Sequence, residues 1–264
     1  MTTLDTLNLT YYSPTGTTQK IIREIGKNLR YKLISESNIA EKSLELTAKN
    51  TDNSLTIIGL PVYGGRIPLT AIESLKNMQS NQSPAVILVV YGNREYDDAL
   101  LELKEIVQNC GFNIIAGAAF IGEHSYSTNE KPIAQNRPDT QDLEKCRDFA
   151  KLISKKLKKN KVSELQIPGN YPYKERRQFS KDIHPETMYE QCNLCGICVD
   201  SCPTNAISIE EETVITNGAL CTLCCACVKN CPSEARLFEN STVNTFRENL
   251  LLNCSLRKEP VYFL

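Results

Sequence analysis

The sequence predicts an α/β protein, with a doubly wound, five-stranded parallel sheet followed by a small, cysteine-rich α+β domain. Strand-like and helix-like segments alternate over residues 1–160, and runs such as AVILVV at 85–90 are apolar throughout, which indicates burial on both faces of a parallel sheet. Ten of the 12 cysteines lie after residue 190. A chain of 264 residues is long enough for two domains with separate cores.

The predicted elements follow one another in the order that such a sheet requires. Period-two and apolar runs predict strands at 7–13, 31–35, 54–63, 85–92 and 112–122. Between or after them, helical patterns cover about 17–29, 69–79, 96–110 and 139–159. Five such strands suit the order 2-1-3-4-5, in which a ligand binds beyond the carboxyl ends of the strands.

The turn after the first strand, SPTGTT at 13–18, has the composition of an anion-binding loop. Its hydroxyls and N–H groups lie at a helix N-terminus, where the helix dipole favours negative charge. The triphosphate pattern GxxxxGK[ST] and the dinucleotide pattern GxGxxG are both absent from the chain. Taken alone, the turn is equally compatible with a simple helix cap.

Three further loops are expected at the same edge of the sheet. They are PVYGGRIP at 61–68, YGNREYDD at 91–98 and GEHSYS at 122–127. A hydroxyl-lined phosphate loop beside two loops that contain glycine and tyrosine suits a planar cofactor with one phosphate. The sequence therefore predicts FMN.

The clearest motif is a repeat near the C-terminus, CNLCGICVDSCP at 192–203 and CTLCCACVKNCP at 221–232. Both copies read C-x2-C-x2-C-x3-C-P, in which three thiolates bind one 4Fe-4S cluster and the fourth binds the neighbouring cluster. The predicted ligands are Cys192, Cys195, Cys198 and Cys231 for one cluster, and Cys202, Cys221, Cys224 and Cys227 for the other. Zinc is the alternative, although zinc sites usually pair two CxxC knuckles.

Other features of this region bear on the same prediction. Short strand-like runs follow the motifs at 206–210 and 235–239, as a compact module around two clusters requires. Cys225 departs from the spacing, so we expect a packed thiol, with a spare ligand as the alternative.

Two family resemblances follow from these motifs. Residues 186–240 resemble a bacterial two-cluster ferredoxin, and most of residues 5–157 resembles flavodoxin, whose phosphate loop reads [ST]-x-T-G-x-T. The flavodoxin resemblance implies that the phosphate is bound by Ser13, Thr15, Gly16, Thr17 and Thr18. It also implies ring contacts from Gly64, Gly65, Arg66, Gly92, Asn93 and Tyr96. The chain has no tryptophan, so either Tyr63, Tyr91 or Tyr96 supplies an aromatic platform, or one face of the ring is left for a partner. His124 has either a flavin contact or a surface hydrogen bond.

The predicted domains are a flavodoxin-like FMN domain at 1–160, a basic linker at 161–185, a ferredoxin domain at 186–240 and a C-terminal helix and tail at 241–264 that packs on the interface. Residues 151–185 contain ten Lys/Arg and three Asp/Glu (+7), whereas residues 186–240 contain two and eight (−6). This contrast suggests that the basic segment attracts the acidic module. A solvated helix terminus is the simpler interpretation.

The complete order of motifs resembles flavodoxin–ferredoxin fusion proteins of anaerobic bacteria and archaea. The resemblance implies an electron-transfer protein that relays single electrons between FMN and two 4Fe-4S clusters, and on to or from a redox partner protein, either a ferredoxin-type donor or an acceptor enzyme. A flavin-dependent reductase of a small molecule or cofactor is one alternative, and a redox-sensing or maturation partner is another.

The composition and the pattern of apolar residues predict the cellular location and exclude some classes of partner. The N-terminus lacks a signal-peptide pattern and no run of about 18 apolar residues occurs, so we expect a cytoplasmic protein without a membrane span. The formal net charge of −1 argues against a general nucleic-acid binder. The sequence does not indicate an oligomeric state.

Overall fold

The computed structural model describes residue 4 and residues 6–31, 33–41, 54–159 and 164–264. Residue 32 of the second predicted strand and residues 161–163 of the predicted linker lie outside the described residues. No helix in the described part of the chain is long and apolar enough to cross a membrane.

The first part of the chain alternates strands and helices as predicted. Its elements are β1 (Thr6–Tyr11), α1 (Thr17–Asn28), β2 (Leu33–Asn38), β3 (Ser54–Pro61), α2 (Leu69–Leu75), β4 (Pro84–Tyr91), α3 (Ala99–Asn109), β5 (Asn113–Ile121) and α4 (Thr140–Lys159). Helix α2 ends before residue 79, because the residues after Leu75 include the turn-forming Asn77, Ser80 and Asn81.

The five parallel strands have the predicted order 2-1-3-4-5. A sixth strand, β10 (Val261–Phe263), pairs antiparallel with the outer edge of β5, and the sequence analysis does not predict it. The ring of Tyr262 in β10 stacks on Phe149 of α4, with 4.9 Å between the ring centroids. The last residues of the tail therefore complete the sheet. The sequence had predicted instead that the tail packs on the interface between the domains.

Helices cover both faces of this sheet. On one face α1 and α4 pack around buried residues such as Ile22 and Phe149, and on the other α2 and α3 pack around Leu75 and Leu103. Burial of each such side chain contributes about 1.5–3 kcal/mol to the free energy of unfolding. The two cores form the frame that holds the loops at the carboxyl ends of the strands.

The cysteine-rich part forms a separate small module built from two antiparallel strand pairs, β6 with β9 and β7 with β8. The predicted strand-like runs at 206–210 and 235–239 contain β7 and β9. The remaining elements are β6 (Glu186–Thr187), α5 (Ile197–Asp200), β7 (Ile207–Glu210), β8 (Thr213–Thr216), α6 (Ala226–Lys229), β9 (Arg236–Leu237) and α7 (Ser241–Asn253).

Specific hydrogen bonds join this module and α7 to the sheet domain. The ammonium of Lys229 in α6 lies 2.8 Å from a carboxylate oxygen of Glu123. The guanidinium of Arg247 in α7, which is 4% exposed, donates to the carbonyl oxygens of Tyr126 and Phe238 at 2.9 and 2.8 Å. One buried arginine thus connects the loop after β5 to the end of the cysteine-rich module.

Within the described residues, the ion pairs of the linker go to the sheet domain. Lys174 pairs with Asp97 at 2.9 Å and Arg176 with Glu102 at 2.6 Å, and all four residues lie outside the module. Among the described residues, no ion pair joins 151–185 to 186–240. The expected attraction between these two segments is therefore not realised as ion pairs, because carboxylates of the sheet domain pair with Lys174 and Arg176. The two segments still touch, since the Thr216 hydroxyl donates to the carbonyl oxygen of Pro185.

Candidate functional site

A cavity of about 760 Å³ lies at the carboxyl ends of β1, β3, β4 and β5. This is the position that the strand order predicts for a ligand. Nine of the residues predicted to contact FMN border it, namely Ser13, Thr15, Thr17, Thr18, Tyr63, Gly64, Gly65, Gly92 and His124.

The loop between β1 and α1 presents hydroxyls at the N-terminus of α1. Gly16 adopts a left-handed conformation (φ 79°) at the helix N-cap position, and the Ser13 hydroxyl accepts the backbone N–H of Gln19 at 3.0 Å. The hydroxyls of Thr15, Thr17 and Thr18 make no hydrogen bond within the described residues, and all three residues border the cavity. Free hydroxyls at a helix N-terminus fit a phosphate group.

Two glycines of the loops that were predicted to contact the flavin ring are required for different reasons. Gly64 has a φ of 62°, and a Cβ built on it would meet no atom within 4 Å, so its backbone borders open space where a planar ligand can approach. A Cβ on Gly92 would lie 2.3 Å from the ring of His124. The second glycine thus makes room for a histidine of the protein.

Two tyrosines supply aromatic surface to the cavity in place of tryptophan. Tyr63 and Tyr91 border it, and Tyr96 packs behind Tyr91 with 5.6 Å between ring centroids. Burial raises the pKa of Tyr91 to about 12 and that of Tyr63 well above its usual value. Both phenols are therefore neutral at physiological pH.

Four predicted flavin residues lie outside the cavity wall: Gly16, Arg66, Asn93 and Tyr96. The guanidinium of Arg66 pairs with Glu102 at 2.7 Å and lies over the ring of Tyr173. The side-chain amide of the buried Asn93 donates to the carbonyl oxygens of Cys254 and Leu256 at 2.6 and 2.8 Å. Both side chains thus anchor other segments of the chain, and their predicted ring contacts have no support from this geometry.

His124 is held as a neutral hydrogen-bonding group at the cavity wall. Its Nδ1 accepts the backbone N–H of Tyr126 at 3.1 Å, which leaves the proton on Nε2. Burial and the nearby cations Arg94, Lys229 and Arg247 lower its pKa to about 4. The side chain can therefore donate one hydrogen bond from Nε2 at neutral pH without carrying a charge.

Segments far along the chain, which no motif assigns to this site, complete the cavity wall. They are the linker around Arg177 and Phe179, the second cysteine run from Cys221 to Leu223, and α7 around Phe246. The guanidinium of Arg177 lies 4.0 Å from the ring centroid of Phe246. No spacing in the sequence assigns Arg177, Phe179 or Phe246 to this site, because only the packing of α7 and the linker brings them together.

The eight predicted cluster ligands divide between two smaller cavities. Cys192, Cys195, Cys198 and Cys231, here called the outer set, border one of them. Cys202, Cys221, Cys224 and Cys227, here called the inner set, border the other. Burial raises the pKa of Cys224 to about 12, so this thiol needs a bound metal centre to become a thiolate. No group of three or more metal-ligand side chains that could hold a single ion occurs within the described residues.

Two residues beside the inner set have distinct environments. Cys225 is 2% exposed and has a left-handed backbone (φ 60°). It packs with Phe238 and Val243, as expected for a packed thiol, and it also borders the inner cavity. Thr222 borders both the large cavity and the inner cavity, and its buried hydroxyl has no hydrogen-bond partner within the described residues. The large cavity and the inner cavity therefore share Thr222 and Cys221 as a common wall.

Comparison with family models identifies a 4Fe-4S binding domain at residues 185–208. This segment begins at Pro185 and contains the whole first cysteine run. No curated protein matches the chain.

Several solved structures resemble the chain. An archaeal flavodoxin is 14% identical with a TM-score of 0.40, and the match covers 58% of this chain and 99% of that one. Flavodoxin 1 from Bacillus cereus is 18% identical with a TM-score of 0.42, covering 57% and 97%. The Flv1 flavodiiron core from Synechocystis is 18% identical with a TM-score of 0.45, covering 60% of this chain and 37% of that one.

Proposed function

We propose that this protein relays single electrons between FMN and two 4Fe-4S clusters, and exchanges them with a redox partner protein. The chain combines a flavodoxin-like sheet with a 4Fe-4S binding domain, and this combination supports electron transfer in general. FMN exchanges one or two electrons and each cluster exchanges one, so the pair suits single-electron relay.

One observation carries the proposal: the large cavity and the inner cysteine set share a wall. Thr15 and Gly64 border that cavity on the side of the sheet domain, and Cys221 borders it on the side of the small module. A flavin bound there would lie next to the inner cluster without an intervening domain. The outer set does not border the large cavity, which gives the order flavin, inner cluster, outer cluster.

The chain's own residues would hold these groups in place. Thr15, Thr17 and Thr18 would donate hydrogen bonds to the FMN phosphate, and the backbone at Gly64 would face its ring. The neutral Nε2–H of His124 is a further donor at the wall. The inner and outer cysteine sets would each bind one cluster.

The surface around the outer set fits a partner protein. Leu194, Ile197 and Ile209 border the outer cavity and are 36%, 39% and 37% exposed. Exposed Glu210, Glu211 and Glu212 continue the surface, and they form no ion pair within the described residues. The partner we propose therefore presents a small apolar area surrounded by basic side chains.

Composition of the purified protein is the first test. Anaerobic purification should give one FMN and eight irons per chain, with equal sulfide, as one flavin and two 4Fe-4S clusters require. Protein with two zinc ions and no flavin would refute the proposal.

Kinetics test the relay itself. After a deazaflavin radical reduces the flavin in a laser flash, we expect the cluster absorbance to bleach at a rate that does not depend on protein concentration. A bleaching rate proportional to protein concentration would show transfer between molecules and would contradict the relay.

The cavity also favours a second candidate function, flavin-dependent reduction of a small molecule. Its wall extends beyond the predicted flavin loops to Arg177, Phe179 and Phe246, which form a cationic and aromatic surface. Multiple turnovers with a small aromatic acceptor, lost in Phe246→Ala without loss of FMN, would establish this function. If no compound in a panel of quinones and nitroaromatics is turned over, the electron relay is the better account of the protein's function.

A further inference from the structure

A buried arginine of the small module donates a hydrogen bond to a cysteine of the inner set. Arg236 is 2% exposed, and its Nη2 donates to the sulfur of Cys227 at 3.8 Å. The same nitrogen donates to the carbonyl oxygen of Pro185 at 2.9 Å and to the Thr216 hydroxyl at 2.8 Å, and both of these residues border the inner cavity. Arg236 itself borders the outer cavity, but no sulfur of the outer set accepts a hydrogen bond from it within the described residues.

The charge of Arg236 is not compensated by a carboxylate. Within the described residues, no Asp or Glu forms an ion pair with it, Nη1 donates to the Thr187 hydroxyl, and Nε is buried without a partner. Burial of an unpaired cation is unfavourable unless an opposite charge lies nearby. A 4Fe-4S cluster with four thiolates carries a net negative charge, so a cluster bound through Cys227 would supply the missing anion.

The internal repeat shows that the outer set has no equivalent cation. The fourth cysteines begin two matching segments, CPTNAI at 202–207 and CPSEAR at 231–236. Arg236 therefore corresponds to Ile207, and Cys227 corresponds to Cys198 of the outer set. Ile207 is 5% exposed and lies in the same cluster of buried residues as Cys198. An aliphatic side chain cannot donate a hydrogen bond to sulfur, so the matching position of the first copy lacks this contact.

We propose that Arg236 raises the reduction potential of the inner cluster through the hydrogen bond and the charge that it presents to Cys227. This inference rests on the proposed function. Reduction adds one negative charge to the cluster, and a cation that donates to a ligand sulfur stabilises the reduced form more than the oxidised form. The charge of Arg236 also acts on the outer cluster, but there it has no hydrogen bond to a sulfur, so its effect is smaller.

Such a difference gives the relay a preferred direction. An electron that a partner protein delivers at the exposed surface of Leu194, Ile197 and Ile209 reaches the outer cluster first. Arg236 then favours the transfer of this electron from the outer cluster, which is oxidised, to the inner cluster, which is reduced, and no bond forms or breaks. Because Cys221 of the inner set also borders the large cavity, the electron is then held beside the flavin.

Variants at Arg236 separate the effect of charge from that of the hydrogen bond. Arg236→Gln removes the charge, and Arg236→Lys keeps the charge but loses the planar fork that reaches Cys227. Lys155→Gln makes the same change in net charge on the exposed side of α4 and serves as the matched control.

The experiment is an EPR-monitored redox titration of the full chain with both clusters present. The two midpoints are assigned with Cys195→Ala, which should retain only the inner cluster. In Arg236→Gln we expect the equilibrium constant for electron sharing to shift toward the outer cluster by about tenfold, equivalent to about 59 mV between two one-electron couples. Arg236→Lys should shift it less and in the same direction, and Lys155→Gln should match the wild type.

Several outcomes would overturn the inference. An unchanged inner midpoint in Arg236→Gln at full iron content would refute it, as would an equal or larger fall at the outer cluster. If Arg236→Gln fails to assemble its clusters, wild-type protein labelled with the heavy nitrogen isotope only at arginine decides. Pulsed EPR of the reduced inner cluster should show a coupling to the labelled nitrogen that Arg236→Lys lacks, and no such coupling would refute the contact. Wild-type protein that lacks clusters would instead refute the proposed function.

Discussion

Replacement of Thr15 by valine should weaken the binding of FMN while leaving the binding of riboflavin unchanged. Thr15 borders the large cavity, and its hydroxyl has no hydrogen bond within the described residues, so the change breaks no contact in the protein. Riboflavin has the same ring system as FMN but no phosphate. The comparison therefore isolates the phosphate from the ring.

The size of the expected loss in FMN affinity follows from the hydrogen bond that the Thr15 hydroxyl would donate to the phosphate. A hydrogen bond to a charged group contributes about 1.5–3 kcal/mol net. Since about 1.4 kcal/mol corresponds to a tenfold change in Kd, the Thr15→Val variant should bind FMN about 10- to 100-fold more weakly. Thr17 and Thr18 remain to bind the phosphate, so binding should persist.

Quenching of flavin fluorescence during titration of flavin-depleted full chain measures both dissociation constants. Thr56→Val is the matched control, since its buried hydroxyl in β3 has no partner within the described residues and lies outside the cavity wall. That variant should bind FMN like the wild type. If Thr15→Val binds FMN with wild-type affinity, or loses riboflavin to the same extent, the assignment of the loop to the phosphate is wrong.

Three further predictions concern the clusters, the docking of α7 and pH. Cys195→Ala and Cys224→Ala should each lower the iron content from eight to about four per chain, and full iron in either variant would contradict the two cysteine sets. Arg247→Met should leave FMN and iron contents intact but slow intramolecular bleaching of the clusters, because it removes the bonds that connect Tyr126 to Phe238; an unchanged rate would show that α7 docks without them. His124 has a lowered pKa of about 4 against 6.5 in the unfolded chain, so the unfolded state binds the extra proton between these values and stability falls as pH drops from 6.5 to 4. Thermal melting of flavin-free protein should show this fall in the wild type and a smaller one in His124→Gln, and parallel curves would exclude His124 as its source.

The cluster motifs and the strand order could be predicted because their signals are local. Cysteine spacing within 192–203 and 221–232 follows from the short loops that surround a cluster, and apolar runs such as 85–90 reflect burial on both faces of a sheet. The hydroxyls of the loop at 13–18 could likewise be placed from the sequence, because a turn of hydroxyl residues before a helix presents its side-chain hydroxyls and backbone N–H groups in any fold.

The hydrogen-bond partners of side chains in the other loops could not be predicted, because they depend on which segments pack beside them. Arg66 and Asn93 stand in the expected loops, yet Glu102 and the C-terminal segment at Cys254 and Leu256 engage them instead. Their residue types did not reveal these partners, which lie from 36 to 163 positions away along the chain.

The sequence by itself determined a parallel α/β sheet of five strands, a turn of hydroxyl residues before a helix and two cysteine runs, because each depends on residues close together in the chain. Only the tertiary structure decided that β10 joins the sheet, that Arg177 and Phe246 complete the cavity, and that Cys221 lies in its wall. The repeat already shows Arg236 in place of Ile207, but its burial without a carboxylate became visible only in the fold. Burial and charge pairing depend on every segment that packs around a residue, and a linear pattern does not contain that information.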